Sequence, residues 1–207
     1  MTSFYDRHIM PRLIGCACAQ PEIMKRRAQI VPQAEGRVLE LGVGGGLNLA
    51  FYDPAKVSEV IGVDPSAALR ARADAAPKPD GLAIQVTDGV AEDLPFDSAA
   101  FDTVVCTFTL CSVHSPAAAL REARRVVKPG GRLLFCEHGL SPDAGVARWQ
   151  GRFEPFWKAI AGGCHLTRPV GPAIASAGFS VDLIETMYLP KTPRILAWAE
   201  WGAASPA

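Results

Sequence analysis

The stretch Glu40-Leu41-Gly42-Val43-Gly44-Gly45-Gly46 sets an acid ahead of three alternating glycines, and Asp64-Pro65 follows, with Asp64 standing 18 residues after Gly46. Glycines at a strand-to-helix turn let the backbone come close to a ligand, and the free amides that open the next helix turn their positive end toward it. Gly42, Gly44 and Gly46 suit that role. An acid at the end of the next strand is placed to accept both hydroxyls of a ribose, which is the role read for Asp64. Two other ligand classes are disfavoured. A dinucleotide fingerprint needs its third glycine at the position of Leu47, and a phosphate loop needs Lys followed by Ser or Thr. Glu40 argues the same way, since its carboxylate repels phosphate and attracts the ammonium of an amino-acid ligand.

These residues need a sheet behind them. Short apolar runs at 37–41, 59–63, 82–86, 101–107 and 132–137 predict buried strands, the last introduced by the turn Lys128-Pro129-Gly130-Gly131. Residues 47–52 and 66–76 are expected as helices, the second stopped by Pro77 and Pro79. Ser115 is a cap and Pro116 an opening residue for a third helix, on which Leu120, Ala123 and Val127 share a face. Alternating strands and helices predict a doubly wound, mostly parallel α/β sheet. Residues 179–189 and 194–201 add a C-terminal hairpin through Pro190-Lys191-Thr192-Pro193, making seven strands with an antiparallel edge. The first 35 residues, two apolar-basic stretches around Pro21, are expected to form a helical cap on a single domain of 1–207.

The 207 residues are 49% hydrophobic and 20% charged with zero formal net charge, enough apolar matter for a full core and no basic field to recruit nucleic acid. Asp6, Arg7, His8 and Arg12 break any signal-peptide pattern, and no apolar run reaches membrane-spanning length. A cytoplasmic protein with reduced thiols is expected. Its six cysteines include no Cys-x-x-Cys pair, so Cys16, Cys18, Cys106, Cys111 and Cys136 are read as small structural residues. Cys164-His165 with His138 lacks characteristic ligand spacing, and no metal site is expected.

Glu40-x-Gly42-x-Gly44-x-Gly46, Val63-Asp64-Pro65-Ser66, Ala91-Glu92-Asp93-Leu94-Pro95-Phe96 and Arg124-Arg125-Val126-Val127-Lys128-Pro129-Gly130-Gly131 resemble the successive motifs of class I S-adenosylmethionine (SAM) dependent methyltransferases, nearest the ubiquinone-biosynthesis-like group. A narrower resemblance, to animal methyltransferase-like thiol methyltransferases and their bacterial relatives, is carried by Thr107-x-x-Leu110-Cys111-Ser112-Val113, Glu137-His138 and Gly163-Cys164-His165-Leu166-Thr167-Arg168. The resemblance implies SAM as donor and S-adenosylhomocysteine as product. It implies cofactor contacts from Glu40, Gly42, Gly44, Gly46, Asp64, Pro65, Ala91, Glu92 and Thr107. Tyr5 is a further candidate, closing over the cofactor from the cap. The family's adenine-contacting acid before Ala91 is Val90 here, which leaves that contact to amides near Ala91 or to Asp88. The animal members' membrane-anchoring N-terminal segment has no counterpart in these residues.

In such a sheet the ligand crevice lies beyond the carboxyl ends of the strands, so Thr107, Glu137 and His138 are expected near the reacting methyl. Methyl transfer from a sulfonium needs alignment, a dry pocket and a deprotonated nucleophile. A thiol, with pKa near about 8.5, needs only a modest base, and His138, His165 and Glu137 are the candidate catalytic residues. A small, apolar thiol is the leading acceptor. A lipid or quinone methyltransferase and a non-catalytic SAM-binding protein are the alternatives. Trp149, Phe153, Phe156, Trp157 and Ile160 fall on one helical stripe, read first as core and otherwise as a lid or a weak membrane-surface contact, with Pro155 a possible kink.

Overall fold

The computed structural model describes residues 15–207. Seven strands form one sheet: β1 (Gly36–Leu41), β2 (Val57–Val63), β3 (Ala83–Thr87), β4 (Phe101–Thr107), β5 (Val127–His138), β6 (Phe179–Tyr188) and β7 (Trp198–Pro206), in the order β3-β2-β1-β4-β5-β7-β6. The pairs β1–β2, β2–β3, β1–β4 and β4–β5 are parallel, and β7 runs antiparallel to both β5 and β6. The expected C-terminal hairpin forms, with its second strand β7 placed between β5 and β6 and β6 left at the edge. Its connection is more than a turn, because the short helix Arg194–Ala197 stands before β7.

Strand alternation explains why both faces are covered. Leu39 and Leu41, Val104 and Cys106, and Leu133 and Phe135 point to one side, where they meet α3 (Pro116–Val126) and α5 (Val170–Ser176) through Leu120, Ala123, Val126 and Ile174. Val38, Val105, Leu134 and Cys136 point to the other, against α1 (Pro21–Ile30) through Ile23 and Ile30, and against Ala73 of α2 (Ala67–Asp74). Burying a side chain such as Leu120 completely contributes about 1.5–3 kcal/mol.

The helix starts follow the sequence. Ser66 Oγ accepts from the Leu69 amide and Ser115 Oγ from the Ala118 amide, and Pro116 opens α3 without losing a needed donor. One expected helix is missing: 47–52 holds only a 3-10 turn, Leu49–Phe51. Asn48 and Tyr52, which a helix would have spent on its outer faces, are instead turned inward onto Glu40. The crossover is too short to do both.

The helix α4 (Ala144–Ile160) runs unbroken through Pro155. The core reading of its aromatic stripe is corrected. Trp149 and Phe156 are 59% and 60% exposed, and Ile160 is exposed as well. The helix is anchored by its polar side: buried Gln150 accepts from the Ser141 amide at 2.9 Å and donates to the carbonyls of Gly139 and Ile195 at 3.0 and 3.2 Å.

Candidate active site

The parallel register brings Leu41 level with Val63 and with Cys106, and Thr107 level with Cys136, so Gly42, Asp64, Thr107 and Glu137 all emerge at one edge. Strand order reverses between β1 and β4, which opens a crevice there. A cavity of about 620 Å³ fills it, inside the ordinary range for small-ligand sites. Gly42, Gly44, Asp64, Pro65, Ala91, Glu92 and Thr107 all stand in its wall.

Each has a defined support. Gly42 sits at φ +64°, and a Cβ there would run into the side chain of Thr109, so the turn requires glycine. Asp64 accepts from the Gly44 amide at 3.0 Å and the Ser66 amide at 2.8 Å, which ties the second strand end to the glycine turn. Burial raises the Asp64 carboxyl above its usual range, and these two amides only partly offset it. Glu92 accepts from the Ser115 amide at 3.1 Å. The loop before Ala91 carries Gly89 and Val90 into the wall. Asp88, paired instead with Arg70 on the surface, is not part of the wall.

Two expected cofactor residues lie just behind the wall. Gly46 packs the turn against α2, since a Cβ would stand 2.8 Å from Ala76 Cβ and 3.0 Å from Ala73 Cα. Glu40 is 1% exposed beneath the floor, where Asn48 Nδ2 donates to it at 2.9 Å and the Tyr52 hydroxyl at 2.7 Å. Burial lifts its pKa to about 7 against the opposing pull of the Tyr52 bond and of the Arg27 charge. Asn48, hydrogen-bonded in turn to Thr107 and Arg27, links it to the cavity wall. Tyr5 lies outside the described residues.

Arg27 is the residue that sequence reasoning missed. It is buried, stands in the cavity wall, and donates from Nη1 to Asn48 Oδ1 at 2.8 Å and to Thr107 Oγ1 at 2.6 Å. Among the described residues its Nε has no hydrogen-bond partner. A guanidinium with a spare buried donor suits a carboxylate. Lys25, Arg26 and Arg27 are consecutive, and only the docking of α1 decides which one turns inward.

A second chamber of about 140 Å³ adjoins the first, and Cys18, Phe108 and Ser112 stand in both walls. Ile23, Trp157, Leu166, Leu189 and Leu196 make it apolar, and His138 is the imidazole in its wall. His138 Nε2 lies 3.0 Å from Cys164 Sγ, and its ring stacks on Phe108 with centroids 6.0 Å apart. Burial pulls the imidazole pKa down, but the Cys164 contact and the Glu137 charge outweigh it and leave it raised.

The other two catalytic candidates are not in either wall. Glu137, 0% exposed, accepts from the Thr109 and Leu110 amides at 2.7 and 3.0 Å and so clamps the loop after β4. His165 faces Glu154, with Nδ1 at 3.0 Å from Oε1, while the other Glu154 oxygen takes the Leu166 and Thr167 amides. Neither lines the cavity or the chamber. Of the cysteines read as structural, Cys16 and Cys18 line the larger cavity, and Cys111 lines the chamber beside His138.

A ribose-ready acid, a glycine turn without phosphate chemistry and a neighbouring, largely apolar chamber, on this strand order, define a class I SAM-dependent methyltransferase. The comparisons agree. A methyltransferase domain model matches residues 39–135. The thiol S-methyltransferase TMT1B of Rattus norvegicus is 36% identical over 187 residues, covering 80% of this chain and 70% of that protein. The Homo sapiens thiol S-methyltransferase TMT1B is 37% identical over 189 residues, covering 80% and 72%. Among solved structures, a Thermotoga maritima SAM-dependent methyltransferase, described as a possible histamine N-methyltransferase, superposes with a TM-score of 0.67 at 21% identity, covering 97% of this chain and 99% of its own. This chain belongs to the SAM-dependent methyltransferase family that these proteins share.

Proposed function

We propose that this methyltransferase acts on the sulfur of a small, apolar thiol, and the observation that carries the reading is the chamber beside the cofactor cavity. Its wall holds apolar side chains, His138 and cysteines, and among the described residues it holds no carboxylate. An alcohol acceptor would need a strong base there, whereas a thiol is already partly ionised near neutral pH. The similarity to enzymes named thiol S-methyltransferases supports the same acceptor.

The parts then have separate tasks. SAM, when bound, supplies a methyl group on a positively charged sulfur. Asp64 takes the ribose hydroxyls, Arg27 the carboxylate, and the amides near Ala91 the adenine edge. Thr107 and Asn48 hold Arg27 in place. Phe108 and Trp157 exclude water from the chamber, and His138 Nε2 is placed to take the acceptor's proton. The helix α1 and the segment 15–19 close the cavity from above, which supports the reading of the N-terminal region as a cap on one domain. Six free cysteines support a reducing, cytoplasmic setting. Among the described residues no helix is long and apolar enough to cross a membrane.

One observation favours a second reading. The exposed Trp149, Phe156 and Ile160 on α4 would suit a membrane surface and hence a lipid or quinone acceptor. Production of S-adenosylhomocysteine by the purified protein with a panel of alkyl and aryl thiols, matched alcohols and a quinol separates the two. Turnover confined to thiols is expected. Turnover with the quinol alone, or only in the presence of lipid vesicles, overturns the thiol reading.

A further inference from the structure

Three side chains of metal-ligand type converge in the chamber from three separate segments. Cys111 lies in the loop after β4, His138 ends β5, and Cys164 follows the Gly162-Gly163 turn beyond α4. One ligand atom from each lies within 4.8 Å of the others, and all three residues line the chamber. In a tetrahedral zinc centre, bonds of about 2.0 Å to nitrogen and 2.3 Å to sulfur put ligand atoms roughly 3.5–3.8 Å apart. The 3.0 Å contact of His138 Nε2 with Cys164 Sγ and the 4.8 Å outer limit bracket that spacing. Shifts of about 1 Å would bring the set to it.

The surroundings hold these ligands in place. Trp157 Nε1 donates to Cys164 Sγ at 3.4 Å, and Phe108 fixes the plane of the His138 ring. The main chain at Cys111 is pinned on both sides, by Glu137 through the Thr109 and Leu110 amides and by the His165 amide, which donates to the Cys111 carbonyl at 2.8 Å. Two thiols and an imidazole are a soft donor set, which selects zinc over magnesium or calcium. Three protein ligands facing a cavity leave a fourth position open, as catalytic zinc sites do and structural ones do not.

We propose that Cys111, His138 and Cys164 hold a zinc-type divalent ion whose open fourth position faces the chamber and receives the sulfur of the acceptor. The second half of this inference rests on the thiol reading above. A thiol reaching the ion gives up its proton to water as it enters and is held as thiolate. Its sulfur electron pair forms the new S–C bond as the bond from the methyl carbon to the donor sulfonium breaks, and that bond's electron pair returns to the donor sulfur. The thioether product carries no charge, binds the metal more weakly and leaves. His138 then serves as a ligand, and Glu137 and His165 gain a reason to be where they are, as supports of the ligand loop. Sequence spacing gave no sign of this, because the three ligands stand 27 and 26 residues apart, at 111, 138 and 164.

The test uses the full chain, purified under reducing conditions and loaded with zinc or cobalt(II). One zinc per chain is expected, together with the strong visible bands and thiolate charge-transfer absorption of tetrahedral cobalt. Cys111→Ser, Cys164→Ser and His138→Gln should each weaken zinc binding by more than about 100-fold while SAM affinity, measured on the same samples, reports that they are folded. No zinc uptake by the wild-type chain, or unchanged uptake by a variant that still binds SAM, overturns the site. A Cys111–Cys164 disulfide in the reduced preparation overturns it as well. Should the variants lose SAM binding too, the wild-type cobalt spectrum decides alone: absence of thiolate charge transfer overturns the site. Added small thiol should shift the cobalt bands, and bands that stay fixed overturn the open-position half. If the bands shift and no thiol is methylated, the metal site stands and the thiol reading fails.

Discussion

The two halves of the site are built by opposite means. The centre of the cofactor half is made from backbone and from residues close together in the chain: the turn at 42–46 and Asp64 lie within 23 positions and are joined by the Gly44 amide on the Asp64 carboxylate, with Arg27, Ala91 and Thr107 brought to it from other segments. The acceptor half is made from side chains whose segments lie far apart, at 17–23, 108–112, 138, 157–166 and 189–196. A backbone cradle tolerates change in the side chains around it, whereas a chamber of converging side chains is reshaped by every one of them. The donor site is therefore constrained by local geometry, and acceptor choice is free to vary with the caps.

If the halves are separate, lesions in one should leave the other intact. The largest effect is expected for Gly42→Val, where a branched side chain must adopt φ +64° and displace Thr109. SAM binding measured by calorimetry should fall by more than about 100-fold, from strain and overpacking together. Next, His138→Gln should lower kcat/KM for a thiol by about 100-fold while the SAM Kd moves less than about twofold, and His165→Gln should change neither by more than about threefold. A large loss in His165→Gln would return that residue to the chamber and blur the comparison. Asp64→Ala should weaken SAM by roughly 10- to 100-fold, the range for a lost charge-assisted pair, and leave the KM for the thiol unchanged.

The smallest effect is a pH dependence seated under the cofactor half. Glu40, with Arg27, Tyr52 and Asp64 around it, has its folded pKa raised from 4.5 to about 7. The unfolded chain gives up that proton first, so the associated stability is fully present below pH 4.5 and is lost as pH rises through about 7. Its upper bound is about 3 kcal/mol. Thermal unfolding of the ligand-free protein should show this slope between pH 5 and 8, and Glu40→Gln should flatten it. SAM binding should draw Glu40 toward its ionised form through Arg27 and the ligand ammonium, releasing protons near pH 6.5. A Glu40→Gln protein with an unchanged pH profile would place the titration elsewhere.

Much of this was legible from residues alone where the relevant contacts are local. The apolar runs gave the central strands β1, β2, β4 and β5 because a doubly covered strand has to be apolar on both faces, whereas β3 and β6 at the sheet edges are largely exposed. Ser115 capped the helix expected of it, and Ser66 caps the one expected to start there. The missing helix at 47–52 shows the limit. Its propensity is ordinary, but Asn48 and Tyr52 are claimed by a buried carboxylate on another strand, and propensity carries no record of such a claim. The aromatic stripe on α4 has the correct period and the wrong burial, because period reports that a face exists and not what covers it.

The sequence by itself determined the sheet, the glycine turn, Asp64 and hence the cofactor, since each depends on backbone conformation and on neighbours within one strand-turn-helix unit. Only the tertiary structure decided that Arg27 and not Arg26 enters the cavity, that Glu137 and His165 face protein instead of acceptor, and that Cys111, His138 and Cys164 meet. Those outcomes depend on how separate segments dock on the sheet, and docking is set by the summed packing of the whole core, which no local spacing encodes.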